Sequence, residues 1–225
     1  MKKVTCDLAS CLFCTSCPDA WRDILPAART MRTFRKGEEI FAEGTPVSGA
    51  YFVFEGLVKI HMAWGAQKQL ILNFAGKGEM IGFRGLAPDP VFPISATALD
   101  ETVICFVERA FFQSMLEVNH RLTQRLLDLY ARTLQESEKR MRTLALMDVR
   151  GRVSDMLLML ERKFGADSEG FICIIPSRQD LAAYAGTTYE TVFRTLSEWE
   201  EEKILAFQGK RIAILDRTRL EDYTR

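Results

Sequence analysis

The stretch SRQDLAAYAGTTYETVFRTLSEWEEEKIL, Ser177 to Leu205, decides the fold. Gly186 divides it into two segments whose apolar residues recur at helical spacing. Ser177 with Asp180, and Thr187 with Glu190, each have the spacing at which a side chain satisfies free backbone N–H groups at a helix start. The next residues, ILAFQGKRIAIL, alternate around Gly209-Lys210 as a hairpin. Helix, turn, helix and hairpin in this order read as a winged helix-turn-helix. Upstream, DVRGRVSDMLLMLERKF from Asp148 reads as an amphipathic helix, and GFICIIP as a short strand ended by Pro176.

From about Ala110 to Met147 no proline or glycine interrupts the chain. Leu127, Tyr130, Leu134, Ser137, Met141 and Leu144 alternate at spacings of three and four, a heptad seam with one polar member. Such a seam pairs with a second copy of itself; the alternative is a stripe packed on its own domain. Between about Arg32 and Glu108 the pattern changes to short runs rich in Phe, Val, Ile and Tyr. They are separated by Gly37, Gly44, Gly49, Gly56, Gly65, Gly76 and Gly78. Strands joined by tight glycine turns predict an antiparallel barrel or roll.

The N-terminus carries CDLASCLFCTSC, with Cys6, Cys11, Cys14 and Cys17 spaced C-x4-C-x2-C-x2-C. The first residues lack an apolar run of signal-peptide length, and no segment approaches the roughly 20 apolar residues of a membrane span. A reducing, cytoplasmic setting is therefore expected, which turns clustered cysteines from a disulfide framework toward soft-metal ligands or redox-active thiols. At 225 residues, with 48% hydrophobic and 27% charged residues, the composition is that of a soluble globular protein. A formal net charge of zero gives no bulk electrostatic sign of nucleic acid, although a local basic face suffices for one. An enzyme has no support: only two histidines are present, and GKGEMIG sits among strands without opening a helix.

Along nearly its whole length after the cysteine segment the chain resembles the CRP/FNR family of bacterial transcription regulators. LALMDVRGRVSDMLLMLE looks like that family's hinge and first DNA-domain helix. R-Q-D-L-A, the glycine and E-T-V-x-R are in register with its helix-turn-helix. The implied α+β fold is an N-terminal cyclic-nucleotide-binding-like antiparallel β-roll, a long dimerisation helix and a C-terminal winged helix-turn-helix. The expected divisions are a cysteine-rich sensor segment over 1–20, the roll over 21–113, the helix over 114–147 and the DNA-binding domain over 148–225. The implied partners are a second copy of the chain, double-stranded DNA at a palindromic operator, and RNA polymerase; no membrane is expected.

A helix starting near Thr188 puts Tyr189, Glu190, Phe193 and Arg194 on the face that enters a major groove. Arg binds guanine O6 and N7 and Glu accepts from cytosine N4, so Glu190 and Arg194 can read a G·C pair; the family implies the same roles. An intrahelical ion pair between the two is the alternative. Phe193 departs from the small residue usual there, and its ring can pack on a thymine methyl. The resemblance assigns phosphate contacts to Ser177, Arg178, Gln179, Thr188 and Thr191, with wing residues Gln208 and Lys210; helix caps or solvated surface are the alternatives.

In nucleotide-binding relatives the roll supplies a Glu for the ribose and an Arg-Ser pair for the cyclic phosphate. Here Phe83 stands at the first position and Ile94 precedes Ser95 at the second, while Ser137-Glu138 replaces the hydroxyl pair that meets the base. A buried phosphate needs a cation that Ile94 cannot supply, so cyclic AMP is disfavoured. GFRGLAPDPVFPISATALDETVIC resembles the FNR branch instead, in which the closing cysteine, here Cys105, ligates an oxygen-labile [4Fe–4S] cluster with N-terminal cysteines. The expected ligands are Cys11, Cys14, Cys17 and Cys105, with Cys6 spare or substituting. The resemblance thus implies a regulator that senses oxygen, nitric oxide or redox state. Zinc, a thiol switch, haem on His61 or His120, or a small-molecule effector in the roll are the alternatives. Cys173, without a partner, reads as structural.

Overall fold

The computed structural model describes residues 11–18, 25, 27–65 and 68–225. They form two compact units, divided between Gln135 and Glu136. No helix among the described residues is long and apolar enough to cross a membrane.

The first unit begins with a short helix, α1 (Leu12–Ser16). Eight strands follow: β1 (Arg29–Phe34), β2 (Glu39–Phe41), β3 (Gly49–Glu55), β4 (Val58–Trp64), β5 (Lys68–Ala75), β6 (Met80–Ile81), β7 (Ser95–Ala98) and β8 (Thr102–Glu108). They pair antiparallel in two four-stranded sheets, β1-β8-β3-β6 and β2-β7-β4-β5, the predicted roll. Gly49 is not a left-handed turn: it opens β3, where an added Cβ would lie 2.6 Å from the Phe106 ring, so a close approach selects glycine there.

β3 and β8 explain how the roll acquires two cores. Side chains alternate faces along a strand. Tyr51, Val53, Ile104 and Phe106 enter the roll interior with Phe41, Phe92 and Ile94. Ala50, Phe52, Cys105 and Val107 face the other way and meet α1, Phe112 and Leu122. The register sets Cys105 opposite Phe52 on β3 and Met31 on β1.

The helical stretch after β8 is not continuous. It breaks at Asn119 into α2 (Arg109–Val118) and α3 (His120–Leu146). Asn119 N–H closes α2 on Met115 O at 2.9 Å. Its side-chain oxygen accepts from Leu122 N–H at 3.1 Å, capping α3.

The second unit contains α4 (Val149–Phe164), α5 (Arg178–Ala185), α6 (Tyr189–Glu201), the hairpin β9 (Leu205–Gln208) and β10 (Arg211–Ile214), and α7 (Arg217–Asp222). The strand expected at GFICIIP reduces to isolated bridges, Ala166 with Ile172 and Phe171 with Ala213. Cys173 is consequently exposed in an irregular segment and is no part of the core.

Candidate functional site

In the second unit α5 starts at Ser177, whose hydroxyl accepts from Asp180 N–H at 3.1 Å. Gly186, at φ 62°, ends the helix in the left-handed conformation glycine tolerates best. The next helix is capped by Thr188, which accepts from Thr191 N–H at 3.3 Å. The expected pairing of Thr187 with Glu190 is therefore displaced by one residue, because Thr188 is the last extended residue before the helical turn begins. Arg152 Nε holds this turn by donating to Ala185 O at 2.8 Å, and Arg140 donates to Tyr184 O. Neither arginine was singled out in the sequence, since their partners are backbone carbonyls of another helix.

α6 buries Val192, Thr195, Leu196 and Trp199. Its opposite face presents Tyr189, Glu190, Phe193 and Arg194, all exposed. The Arg194 side chain, 74% exposed, pairs with Glu198 at 3.8 Å; among the described residues it does not pair with Glu190. Glu190 is held below the ordinary carboxylate range by a hydrogen bond from its own backbone N–H and by the Thr188 side chain. Gln179 and Lys210 are exposed, and Gln208 is engaged by Arg211. Arg178 lies over the Phe207 ring at 5.1 Å, with one guanidinium nitrogen buried and lacking a hydrogen-bond partner. The face can therefore offer fixed donors, one carboxylate and two aromatic rings to a groove-shaped ligand.

In the first unit Phe13 places the cysteine arm. Its ring is 1% exposed and stacks 5.5 Å from Phe52, the cross-strand neighbour of Cys105, and 5.9 Å from Phe112. Cys11, Cys14, Cys17 and Cys105 are thereby buried in one apolar cluster. Cys6 lies outside the described residues. Cys11 is the N-cap residue of α1, and its thiol is lowered to about 6, first by the hydrogen bond from the Cys14 side chain and further by the backbone N–H groups of Cys14 and Phe13. Burial, then the charge on Cys11, pushes Cys17 up to about 11.

The donors are of the kind and dryness that a soft, thiolate-ligated centre uses. Among the described residues, however, no three His, Cys, Asp or Glu side chains are grouped so as to hold a metal ion. The fit accordingly rests on donor chemistry and shared burial. His61 on β4 is 2.8 Å from the Thr97 hydroxyl through Nε2, and His120 is exposed at the start of α3.

The depressed Cys11 pKa predicts a pH dependence in the metal-free protein. Its stabilisation is complete above the unfolded thiol value near 9 and is lost as pH falls through about 6. Thiolate ultraviolet absorbance should show a step near pH 6 that is missing in Cys11→Ser. A wild-type titration with no thiol ionising below pH 8 would refute this assignment.

The end of α1 is tied to the helices. Asn119 Nδ2 donates to Ser16 O at 3.0 Å, and Arg125 donates to the Thr15 hydroxyl. Asn119 thus caps α3 and fastens the arm with one buried amide. Asn119→Ala should cost about 1–3 kcal/mol, through a lost cap and an unsatisfied carbonyl. Urea denaturation should show a lower midpoint at unchanged slope; an unaltered midpoint would remove Asn119 from this role. The sequence signal was an asparagine inside a helical pattern, a residue that competes for backbone groups.

The seam residues divide by environment. Leu127, Leu134 and Met141 are 63%, 62% and 62% exposed at seven-residue spacing. Tyr130 instead packs edge-on to Phe83 at 5.3 Å, and its hydroxyl donates to Phe83 O. Leu144 lies against Gly186, where an added Cβ would be 3.0 Å from its Cδ2. Ser137 is half-buried. In the roll, Phe41 and Phe92 stack at 4.1 Å, and Ile94 is buried with them, so the expected phosphate position is apolar.

Comparison with known proteins gives two matching family models. Residues 31–119 match the cyclic nucleotide-binding domain, and residues 151–223 the Crp-like helix-turn-helix domain. The transcriptional activator protein Anr of Pseudomonas aeruginosa is 26% identical over 189 residues, 82% of this chain and 76% of its own length. A CRP-like cAMP-activated global transcriptional regulator of Mycobacterium tuberculosis is 27% identical over 83% of this chain and 84% of its own. The structure of FixK2 from Bradyrhizobium japonicum superposes with a TM-score of 0.80 at 28% identity, covering 88% of this chain and 98% of that one.

Proposed function

The chain belongs to the CRP/FNR family of transcription regulators, and from that premise we propose a homodimeric, sequence-specific regulator whose buried thiol cluster senses oxygen, nitric oxide or redox state. The family is one of DNA-binding regulators and not of enzymes. The observation that carries the sensing reading is the burial of Cys11, Cys14, Cys17 and Cys105 on the one face of β8 that meets α1 and the start of α3.

Glu190 and Arg194 read a G·C pair, with Tyr189 and Phe193 beside them on the exposed face of α6. Arg178, Gln179, Ser177, Thr188, Thr191 and the wing residues Gln208 and Lys210 contact phosphates, positioning the domain without specifying sequence. Ser177 and Thr188 are committed as helix caps and reach phosphate only with their remaining hydrogen-bonding capacity. Leu127, Leu134 and Met141 form the dimer contact, which holds two α6 helices about 34 Å apart for successive major grooves.

A thiolate-bound iron–sulfur group supplies a centre labile to oxygen and nitric oxide. Cys11, Cys14, Cys17 and Cys105 would hold it, with Cys6 a spare or a substitute. Cys11, whose pKa is lowered to about 6, would enter ligation with less proton release than Cys17, whose pKa is raised to about 11. Ligation would add to the hold that Phe13 already gives the arm on β8, and the arm meets Asn119, the cap of α3, and Arg125 through Ser16 and Thr15. Loss of ligation would remove that added hold and weaken the bias it places on the helix bearing the seam. A cyclic nucleotide is disfavoured because Phe83 and Ile94 present apolar groups where ribose and phosphate need polar ones.

Anaerobic purification with iron and sulfide analysis tests the sensing reading. Iron and sulfide in equal amounts, lost on exposure to air, are expected. Zinc without sulfide, or a colourless protein after anaerobic reconstitution, would sink it.

A further inference from the structure

We propose that Tyr189 and Phe193 form an apolar surface that reads the 5-methyl group of thymine, which makes Phe193 a specificity-determining residue. The inference rests on the DNA-binding reading and goes beyond it, from a G·C contact to a neighbouring base. The two rings are 47% and 54% exposed, although α6 already buries Val192, Leu196 and Trp199. Their centroids are 6.2 Å apart and their planes within 14°, so they make one continuous apolar surface over the first two helical turns.

Packing within the domain does not account for that exposure. Glu190 and Arg194 on the same face disfavour a lipid or an apolar protein patch, since either would bury both charges. A major groove suits the mixture, because every base edge there is polar except the thymine methyl. Phe193 adjoins Arg194 in the chain, so the methyl it meets belongs to a base pair next to the G·C pair that Arg194 reads. Tyr189 stacks on Phe193 and limits its rotamers before binding, which lowers the entropy lost on contact. A serine at this position would leave the methyl without an apolar partner.

The test begins with selection of binding sites by the full-length protein from random duplex DNA. A palindrome with thymine beside a G·C pair in each half-site is expected. Fluorescence anisotropy then compares that duplex with one carrying deoxyuridine, which lacks only the methyl, at those thymines. Burial of one methyl is worth about fourfold in affinity, so the doubly substituted palindrome should bind about fifteenfold more weakly. Phe193→Ser should bind more weakly than wild type and should not distinguish thymine from deoxyuridine. Equal wild-type affinities for the two duplexes overturn the inference, as does a selected site with no thymine beside the G·C pair. Methyl discrimination retained by a folded Phe193→Ser protein overturns the Phe193 assignment. Failure to select any site overturns the DNA-binding reading itself, and this inference with it.

Discussion

Replacing Arg194 with alanine is expected to abolish sequence-selective DNA binding while leaving the fold and dimer intact. A bidentate arginine–guanine contact is worth about 1–3 kcal/mol, and a palindrome contains two, so the loss is about 2–6 kcal/mol, or at least roughly thirtyfold in affinity. The substitution should hardly alter stability. The side chain is 74% exposed and its ion pair with Glu198 spans 3.8 Å, while Glu198 keeps Arg150 at 3.0 Å. Exposed pairs of this kind contribute about 0–1 kcal/mol. A gel shift on the selected operator and on scrambled DNA separates the effects: specific binding should fall to the nonspecific level, at unchanged elution volume on gel filtration. Undiminished operator affinity would refute the base-reading role.

The second large effect is expected at Cys105. Cys105→Ser should strip the anaerobically prepared protein of most of its iron and sulfide, whereas Cys173→Ser should match wild type, because Cys173 is exposed in the other unit. Placing a hydroxyl at a site 2% exposed costs stability, about 1–3 kcal/mol if unpaired. Thermal unfolding must accordingly be measured beside the iron content. A folded Cys105→Ser protein with full iron would exclude this ligand, and the four N-terminal cysteines, Cys6 included, would then have to supply all four thiolates.

How much of this was legible beforehand differs between the two sites. α6 is local. Its buried face and exposed face follow from a single helical period, so Tyr189, Glu190, Phe193 and Arg194 could be placed together from the chain alone. Even there the cap moved by one residue, from Thr187 to Thr188, because threonine at either position has the same capping chemistry. The thiol cluster is nonlocal. Alternation in TVICFVE puts Cys105 and Val107 on one face and Ile104 and Phe106 on the other, yet nothing in that run says which face meets helices.

The seam shows the same division of labour. Spacing alone groups Leu127, Tyr130, Leu134, Ser137, Met141 and Leu144, and it identifies a helix long enough to pair. It cannot register that Tyr130 is drawn off to Phe83, or that Asn119 ends one helix and caps the next.

The sequence by itself determined the order of roll, long helix and winged helix-turn-helix and the residues on the outer face of α6, because each depends on local period or on residue chemistry; the apolar residues at Phe83 and Ile94 gain their meaning only from the resemblance to nucleotide-binding relatives. Only the tertiary structure decided that Phe13 docks on Phe52 and Phe112, that Cys105 looks toward the arm and away from the roll interior, and that Asn119 and Arg125 fasten α1 to the helices. Those contacts join residues far apart in the chain, and their partners are set by which sheet face the apolar helices cover.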